Sequence, residues 1–333
     1  MKILFILAFA ASSAFAAVKP EDIILRDDNR GKDIECRVYF PDTGDKLHLI
    51  VFSHGFGADK TAFATISQHV AEHGYVIVHP SHADGVGRGG LRRGATGAPA
   101  RQHGAGEPAE NKTGARRFQG LPGTGGGLAG MLNDPAKIEG RVADVVAVMD
   151  SIKQLYTKVP ALKGRIDTTR IGVGGHSYGA YTSMLIGGVT AEIGGVKARS
   201  FADKRVHCIL PISGQGTGQQ GLTESSWANL KLPMMTMTGS RDQGAGGQGP
   251  DWKKEPYKFS PPGDKYLVFI EGANHLSFGG GLGARSSSTT DVVKASTLAF
   301  WDAYLKGDEK AKASLKSSEI VKPFTGTARV ESK

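Results

Sequence analysis

The pentapeptide GHSYG at residues 175–179 constrains the fold of this chain more than any other segment. It follows the apolar run RIGVG and leads directly into the apolar segment AYTSML. A G-x-S-x-G sequence between a strand and a helix forms a sharp turn that exposes the serine hydroxyl. Both glycines have a steric reason, because side chains there would crowd the adjoining strand and helix. We therefore expect Ser177 to be a nucleophile at the carboxyl end of a strand.

Short β-branched runs alternate with helical patterns along most of the chain, which predicts an α/β fold with a mostly parallel sheet flanked by helices. Apolar residues at helical spacing predict helices near residues 61–72, 142–152 and 291–305. No linker outside residues 85–130 separates two cores, so we expect a single domain over residues 17–333. The predicted strands are residues 34–40, 47–53, 75–79, 171–174, 207–212, 234–238 and 266–270.

The first sixteen residues have the pattern of a secretory signal peptide. Lys2 gives a positive start, residues 3–11 are apolar without interruption, and residues 14–16 read Ala-Phe-Ala, a cleavage signature. The apolar run is too short to span a bilayer, which takes about 20 residues. We expect cleavage before Ala17 and export to the periplasm or the medium, with no membrane span.

The positive charge of the chain is concentrated in one segment. The formal net charge is +9, of which Lys2 contributes one. Residues 85–130 hold seven Lys or Arg against two Glu, together with fifteen Gly and few large apolar residues. Such a segment cannot build a core of its own. A functional lid is one reading, but a solvated, Gly/Arg-rich surface insertion is favoured, and no motif supports nucleic-acid binding.

A serine nucleophile needs a histidine base, and that base needs an orienting carboxylate. In the chain order Ser, acid, His, each residue follows a late strand. His275 is the only histidine after His207, which makes it the base by elimination. Asp242 follows the predicted strand 234–238 and is the favoured acid. Two further carboxylates, Asp251 and Glu271, stay as alternatives.

Acyl transfer also needs backbone donors for the developing oxyanion. One should be the N–H of Tyr178, the residue after the nucleophile. The glycine-containing loop SHGFG at residues 53–57 follows an apolar strand, and Phe56 is expected to supply the second N–H. His54 is expected to be a structural hydrogen-bonding residue under this loop. The side chains expected to bind substrate are those of Phe56, Tyr178, His82 and Trp227.

No residue pattern calls for a metal or a cofactor. The cluster around His79 and His82 matches no standard zinc spacing. The segment GVGG at residues 172–175 lacks the acidic residue that a dinucleotide loop requires. The two cysteines, Cys36 and Cys208, fall in an early and a late predicted strand, and they cannot pair if several other strands lie between these two in the sheet. We expect two buried free thiols.

With these motifs in view, the chain resembles α/β-hydrolases of the dienelactone hydrolase and platelet-activating-factor acetylhydrolase-like group, which borders on cutinase-like polyester hydrolases. The resemblance implies an eight-stranded sheet and a metal-independent serine esterase. Dienelactone hydrolases use a cysteine nucleophile where this chain has Ser177, which argues against dienelactones as substrates. The resemblance rests on residues 51–57 (VFSHGFG), 73–78 (HGYVIV), 175–180 (GHSYGA), 272–275 (GANH) and 300–305 (FWDAYL).

Three hypotheses follow for the function. The favoured one is an exported serine carboxylic-ester hydrolase acting on a small-molecule or polymeric ester. A polyester hydrolase or lipase-like enzyme is the alternative, motivated by export, a basic surface and aromatic residues expected to be exposed near the pocket. The third is a binding protein on a catalytically idle scaffold, which would use the basic insertion to hold an anionic polymer.

Overall fold

The computed structural model describes residues 17–85, 127–280 and 287–333. The predicted signal peptide and nearly all of the predicted insertion lie outside these residues. Within the described part of the chain, nine strands form one sheet and a further pair, β6 and β7, forms a small hairpin. The strands are β1 (Glu21–Asp27), β2 (Lys32–Tyr39), β3 (Leu47–Ser53), β4 (Tyr75–Pro80), β5 (Ile166–His176), β6 (Ala191–Ile193), β7 (Val196–Arg199), β8 (Val206–Ile212), β9 (Met234–Arg241), β10 (Lys265–Asn274) and β11 (Ala328–Ser332).

The order of strands across the main sheet is β1-β2-β4-β3-β5-β8-β9-β10-β11. Six neighbouring strands of this sheet run parallel to one another, namely β4, β3, β5, β8, β9 and β10. At the edges, β1, β2 and β11 pair antiparallel to their neighbours. This confirms the predicted α/β fold with a mostly parallel sheet, the architecture of the α/β-hydrolases. In such a sheet the carboxyl ends of the parallel strands share one edge, where sites form.

Within the described residues the main sheet has nine strands, one more than the eight that the resemblance implied. Every strand predicted from the sequence is present, and two additional strands, β1 and β11, lie at opposite edges. Buried and exposed residues alternate along both, so β1 buries only Ile23 and Leu25, and β11 buries only Val330. Edge strands covered on one face lack the continuous apolar run that marks the central ones.

Helices cover both faces of the sheet. The two-residue period of β3 sends Leu49 and Val51 into one core and Ile50 and Phe52 into the other. The first core also contains side chains of α3, α4 and α5, and the second those of α1, α8 and α9. The helices are α1 (Ala64–Glu72), α2 (Gly127–Leu132), α3 (Pro135–Asp150), α4 (Ile152–Lys158), α5 (Tyr178–Ile186), α6 (Pro250–Lys253), α7 (Glu255–Phe259), α8 (Ser287–Trp301) and α9 (Glu309–Lys316).

The predicted helices form where the apolar spacing indicated them. Asp134 caps α3 by accepting a hydrogen bond from the Ala136 N–H (3.0 Å), and Pro135 opens the helix. The helix predicted over 291–305 is α8 followed by a π-helical turn that ends at Gly307, whose φ is 73°. No helix in the described ranges combines the length and apolar character needed to cross a membrane.

The two cysteines are free and buried, as predicted. Cys36 lies in β2 and Cys208 in β8, and three strands separate them in the sheet. At about 4.8 Å per strand, their backbones are far beyond disulfide reach.

Candidate active site

Ser177 lies on the turn between β5 and α5, in a strained backbone conformation with φ 55° and ψ −118°. The turn requires glycine on both sides. A Cβ atom on Gly175 would lie 2.2 Å from the carbonyl oxygen of Gly179, and one on Gly179 would lie 1.9 Å from that of Ser53. The Ser177 N–H donates to the carbonyl oxygen of Ile212 (3.0 Å), which ties the turn to β8. Such strain persists only where packing enforces it.

The three residues expected to form a catalytic triad lie in one hydrogen-bonded row. Oγ of Ser177 is 3.0 Å from Nε2 of His275, and Nδ1 of His275 is 3.1 Å from Oδ1 of Asp242. They directly follow β5, β10 and β9. The Asp242 side chain is fully buried, whereas 34% of the His275 side chain is exposed. The base is therefore accessible to substrate while its carboxylate is shielded from water.

The surroundings of Asp242 keep it ionised. Burial alone would raise the pKa of its carboxyl group, but the hydrogen bond with His275 and the positive charge of Lys253 outweigh that effect and lower the pKa. Two hydroxyls also donate to it, Oγ of Ser213 to Oδ1 and Oγ1 of Thr238 to Oδ2, each at 2.9 Å. An ionised, fixed carboxylate favours the His275 tautomer that carries its proton on Nδ1.

Sequence reasoning missed two residues of this region, Ser213 and Lys253. Oγ of Ser213 is also 2.8 Å from Nδ1 of His275, and its backbone φ is 51°. The buried Lys253 Nζ donates to the carbonyl oxygen of Ser213 (3.0 Å). Burial lowers the pKa of Lys253 to about 8, against the opposing effect of the Asp242 charge.

The alternative acids lie elsewhere. The Asp251 carboxylate is exposed and pairs with Lys254 at 2.8 Å. Glu271 is half exposed and pairs with Arg329 at 2.9 Å. Of the three candidate carboxylates, the geometry brings only Asp242 to His275.

His176 supports the other side of the base. Its Nε2 is 2.8 Å from the carbonyl oxygen of His275, and the two imidazole centroids are 4.8 Å apart. Burial, with the nearby His275, lowers the pKa of His176 to about 3. The ring is therefore neutral at physiological pH and can donate to that carbonyl.

The loop at residues 53–57, named here the oxyanion loop, lies directly beside the serine turn. A Cβ atom on Gly55 would lie 3.5 Å from Cβ of Ser177. The half-buried Phe56 ring packs edge-on to that of Tyr178, with centroids 6.0 Å apart. Tyr178 begins α5, so its N–H is one of the first-turn donors that have no partner within a helix.

A buried polar network lies behind the oxyanion loop. The fully buried His54 places Nδ1 2.7 Å from the carbonyl oxygen of Gly55, while its Nε2 accepts from the His82 N–H at 3.0 Å. This confirms the structural role expected for His54. Burial lowers its pKa to about 4, so the ring is neutral. Arg141 completes the network with two hydrogen bonds to Asp84, each 3.0 Å long.

Three expected substrate-binding side chains need correction. His82 is buried, with Nε2 2.8 Å from Oγ of Ser53 and Nδ1 3.0 Å from Oδ2 of Asp144, so its ring serves the network. Trp227 is 0% exposed and stacks near Phe259. The Tyr178 ring is 1% exposed. Each of these three side chains is buried by its own contacts, and of the four expected substrate-binding side chains only Phe56 keeps a partly exposed ring.

In the part of the chain that the structure describes, no group of three or more His, Cys, Asp or Glu side chains is arranged to hold a metal ion. In the candidate cluster, Nε2 of His79 is 2.7 Å from Oγ of Ser67, and both ring nitrogens of His82 have hydrogen-bond partners.

The fold is that of an α/β-hydrolase, and known proteins with similar sequences point to one group within that fold. The family model for platelet-activating factor acetylhydrolase, isoform II, matches residues 35–88, a segment that includes the oxyanion loop. Proteins named platelet-activating factor acetylhydrolase from Bos taurus and Canis lupus familiaris are 44% and 46% identical over 43 residues, which is 13% of this chain and 10% of each relative. The protein of that name from Cavia porcellus is 22% identical over 240 residues, 71% of this chain and 49% of the relative. The matches thus span between a tenth and half of the relatives' length.

Proposed function

We propose that this chain is a serine ester hydrolase that works through an acyl-enzyme. The observation that carries the proposal is the hydrogen-bonded row from Ser177 through His275 to the buried Asp242. The strained turn that presents Ser177 supports it, as does the similarity to proteins named acetylhydrolases. Export is part of the proposal and depends on the pattern of residues 1–16 in the sequence alone.

In the proposed first step, Oγ of Ser177 attacks the ester carbonyl carbon while Nε2 of His275 takes the hydroxyl proton. The carbonyl oxygen becomes an oxyanion that accepts hydrogen bonds from the N–H groups of Tyr178 and Phe56. The C–O bond then breaks, and the alcohol leaves with the proton from His275. Water repeats the sequence on the acyl-enzyme, releasing the acid and restoring Ser177. Asp242 stays ionised and balances the imidazolium in both halves.

We propose short-acyl carboxylic esters as the substrate class. The relatives are named for acetyl hydrolysis, and acetyl is the smallest common acyl group. The polyester alternative depended on aromatic rings exposed beside the pocket. Since the rings of Tyr178 and Trp227 are buried, that argument retains only Phe56, and small esters are the better proposal.

The proposal is tested with p-nitrophenyl esters from acetyl to palmitoyl, using protein from residue 17 onward. Ser177→Ala should lower kcat by at least about 10⁴-fold, the order found when a triad residue is removed. Ser225→Ala, a change at an exposed serine, is the matched control and should keep full activity. A fluorophosphonate should label wild type and the control but not Ser177→Ala.

Full activity in Ser177→Ala would overturn the mechanism. A rate that rises toward long acyl chains would overturn the short-acyl class and favour lipid or polyester substrates. No turnover and no labelling of wild type, combined with salt-sensitive retention on an anionic matrix, would favour a binding protein instead.

A further inference from the structure

Arg141 lies outside the row formed by Ser177, His275 and Asp242, yet it contacts both segments that carry the proposed oxyanion donors. It projects from α3 and is 2% exposed. Its Nη1 donates to the carbonyl oxygen of His54 (2.8 Å), and its Nη2 lies 3.3 Å from that of Gly55. The guanidinium carbon is also 4.6 Å from the centroid of the Tyr178 ring.

The Gly55 carbonyl belongs to the same peptide group as the Phe56 N–H. Three donors converge on this oxygen, namely Nη2 of Arg141, Nδ1 of His54 at 2.7 Å and the Ala58 N–H at 3.2 Å. The peptide bond is trans, so its N–H points opposite to its C=O. Fixing the carbonyl therefore fixes the direction of the N–H.

That N–H is also without an acceptor among the described residues. Donors on the carbonyl side polarise a peptide group and strengthen its N–H as a donor. The Gly55–Phe56 peptide thus has an anchored acceptor end and a donor end left for a ligand. Gly55 also lies within contact distance of the nucleophile, since a Cβ atom added to it would be 3.5 Å from Cβ of Ser177.

We propose that Arg141 is a positioning residue that holds the Gly55–Phe56 peptide so that the Phe56 N–H is presented to the oxyanion. The inference rests on the proposed function and deepens it. The salt bridge between Arg141 and Asp84 fixes the guanidinium in turn, through two hydrogen bonds of 3.0 Å. A planar fork with five donors can serve a carboxylate and two carbonyls at once, which a lysine ammonium cannot.

The first test compares Arg141→Lys with wild type on p-nitrophenyl acetate. Lysine keeps the charge opposite Asp84 but loses the fork, and a misplacement of about 1 Å at a catalytic group can cost about 100-fold. We expect kcat to fall by at least about tenfold, with KM within about twofold, because the oxyanion exists only in the transition state. Arg165→Lys is the matched control.

Arg165 suits this purpose because it also binds backbone carbonyls, but at the opposite end of β5. Its guanidinium donates to Gly44 (2.7 Å), Ala161 (2.9 Å) and Pro41 (3.0 Å). Arg165→Lys should lower the melting temperature without changing kcat. An Arg141→Lys protein that behaves in the same way, less stable but with unchanged kcat, would overturn the inference.

A second readout observes the peptide group directly. Gly55-Phe56 is the single Gly-Phe dipeptide in the sequence, so carbon-13 in glycine carbonyls and nitrogen-15 in phenylalanine select one NMR signal. Diethyl p-nitrophenyl phosphate places a phosphoryl oxygen where the oxyanion would form. On forming this adduct, the wild-type Phe56 amide proton should move downfield. In Arg141→Lys the movement should shrink, and the Gly55 carbonyl signal should change before any adduct forms.

If Arg141→Lys does not fold, Asp84→Asn tests the same arrangement with the arginine retained. It weakens the anchor of the guanidinium, and we expect a smaller loss of kcat with the Phe56 signal moved in the same direction. A normal wild-type adduct signal with no change in Asp84→Asn would overturn the role of Arg141. An active, phosphorylated wild type whose Phe56 amide does not respond would overturn the donor as well. Loss of wild-type activity and labelling would instead be the failure of the proposed function.

Discussion

The acid–base side of the candidate site, formed by Asp242, His275, Ser213 and Lys253, contains one buried cation, and its His275 side chain is 34% exposed. The oxyanion side is held by a network in which Arg141 and Lys32 face Asp84 and Asp144. The imidazole of His275 must change charge in each proposed step, so its surroundings keep it partly exposed. A backbone donor needs only a fixed direction. The comparison indicates that one side is built for proton transfer and the other for rigidity.

The largest expected effect is on kcat, when the carboxylate of the acid–base side is replaced. Asp242→Asn removes the charge that balances the imidazolium and presents an amide N–H in place of an acceptor. We expect kcat to fall by about 10⁴-fold, as for replacement of the triad aspartate in a serine protease. Asp251→Asn and Glu271→Gln are the controls on p-nitrophenyl acetate and should keep wild-type rates. If either control loses activity while Asp242→Asn does not, the acid has been assigned wrongly.

On the oxyanion side, a substitution in the buried network should lower the stability of the protein. Asp144 accepts hydrogen bonds from His82 and Lys32 and pairs with Arg30 at 2.8 Å. Asp144→Asn leaves the cations Lys32 and Arg30 and the His82 ring without their carboxylate and should lower the free energy of unfolding by about 3–5 kcal/mol, measured in urea. Asp150→Asn, on the exposed face of the same helix and paired with Arg205, should cost at most about 1 kcal/mol. Equal losses would show that the network does not behave as a buried unit.

Asp144 should also make the stability of the protein depend on pH in the acid range. Burial would raise the pKa of Asp144, but hydrogen bonds from His82 and Lys32 lower it to about 2. Its contribution to stability is then full above the unfolded-state pKa of about 3.9 and is lost as pH falls toward about 2. Wild type should lose stability in this window more steeply than Asp144→Asn. Parallel curves for the two proteins would contradict the assignment.

Much of this arrangement could be read from the sequence. The parallel strands were predicted because they are continuous apolar runs, and Ser177, Asp242 and His275 because each follows such a run in a fixed chain order. The edge strands β1 and β11 were missed because they are apolar on one face only. Arg141 did carry a signal, since it lies at helical spacing with Ile138 and Val145 on the apolar face of α3.

Lys253 had no comparable signal. It lies on the short helix α6, beyond a glycine-rich stretch, and only the three-dimensional path of that loop brings it to Ser213. The burial of Trp227 was equally hidden, because an aromatic residue in the long connection between β8 and β9 is compatible with a pocket or a core. Local patterns predict what a strand presents at its end, but not which distant loop packs against it.

Lys253 sharpens the comparison because its pH dependence has the same sign as that of Asp144 but the opposite cause: the fold disfavours the charged form of Lys253 and favours that of Asp144. Burial lowers its folded-state pKa to about 8, below the ordinary value of 10.5. The unfolded chain therefore binds more protons between these values, and the free energy of unfolding should rise with pH by about 3 kcal/mol across that window. Lys253→Met should remove most of this rise. The neighbouring Lys254→Met should leave it, and a rise that persists in Lys253→Met would assign it to other groups.

Ser213 should give the smallest effect, because it supports the acid–base side without being its acid or base. Its hydroxyl lies 2.9 Å from Asp242 and 2.8 Å from His275, and a hydrogen bond to a charged group is worth about 1.5 kcal/mol or more. Since Thr238 still donates to the carboxylate, we expect kcat to fall only by about fivefold to tenfold in Ser213→Ala. Ser213→Gly should lose the same activity but be the more stable of the two, because glycine adopts the φ of 51° without strain. Activity restored in the glycine variant would show that backbone geometry, and not the hydroxyl, is what the acid–base side needs at this position.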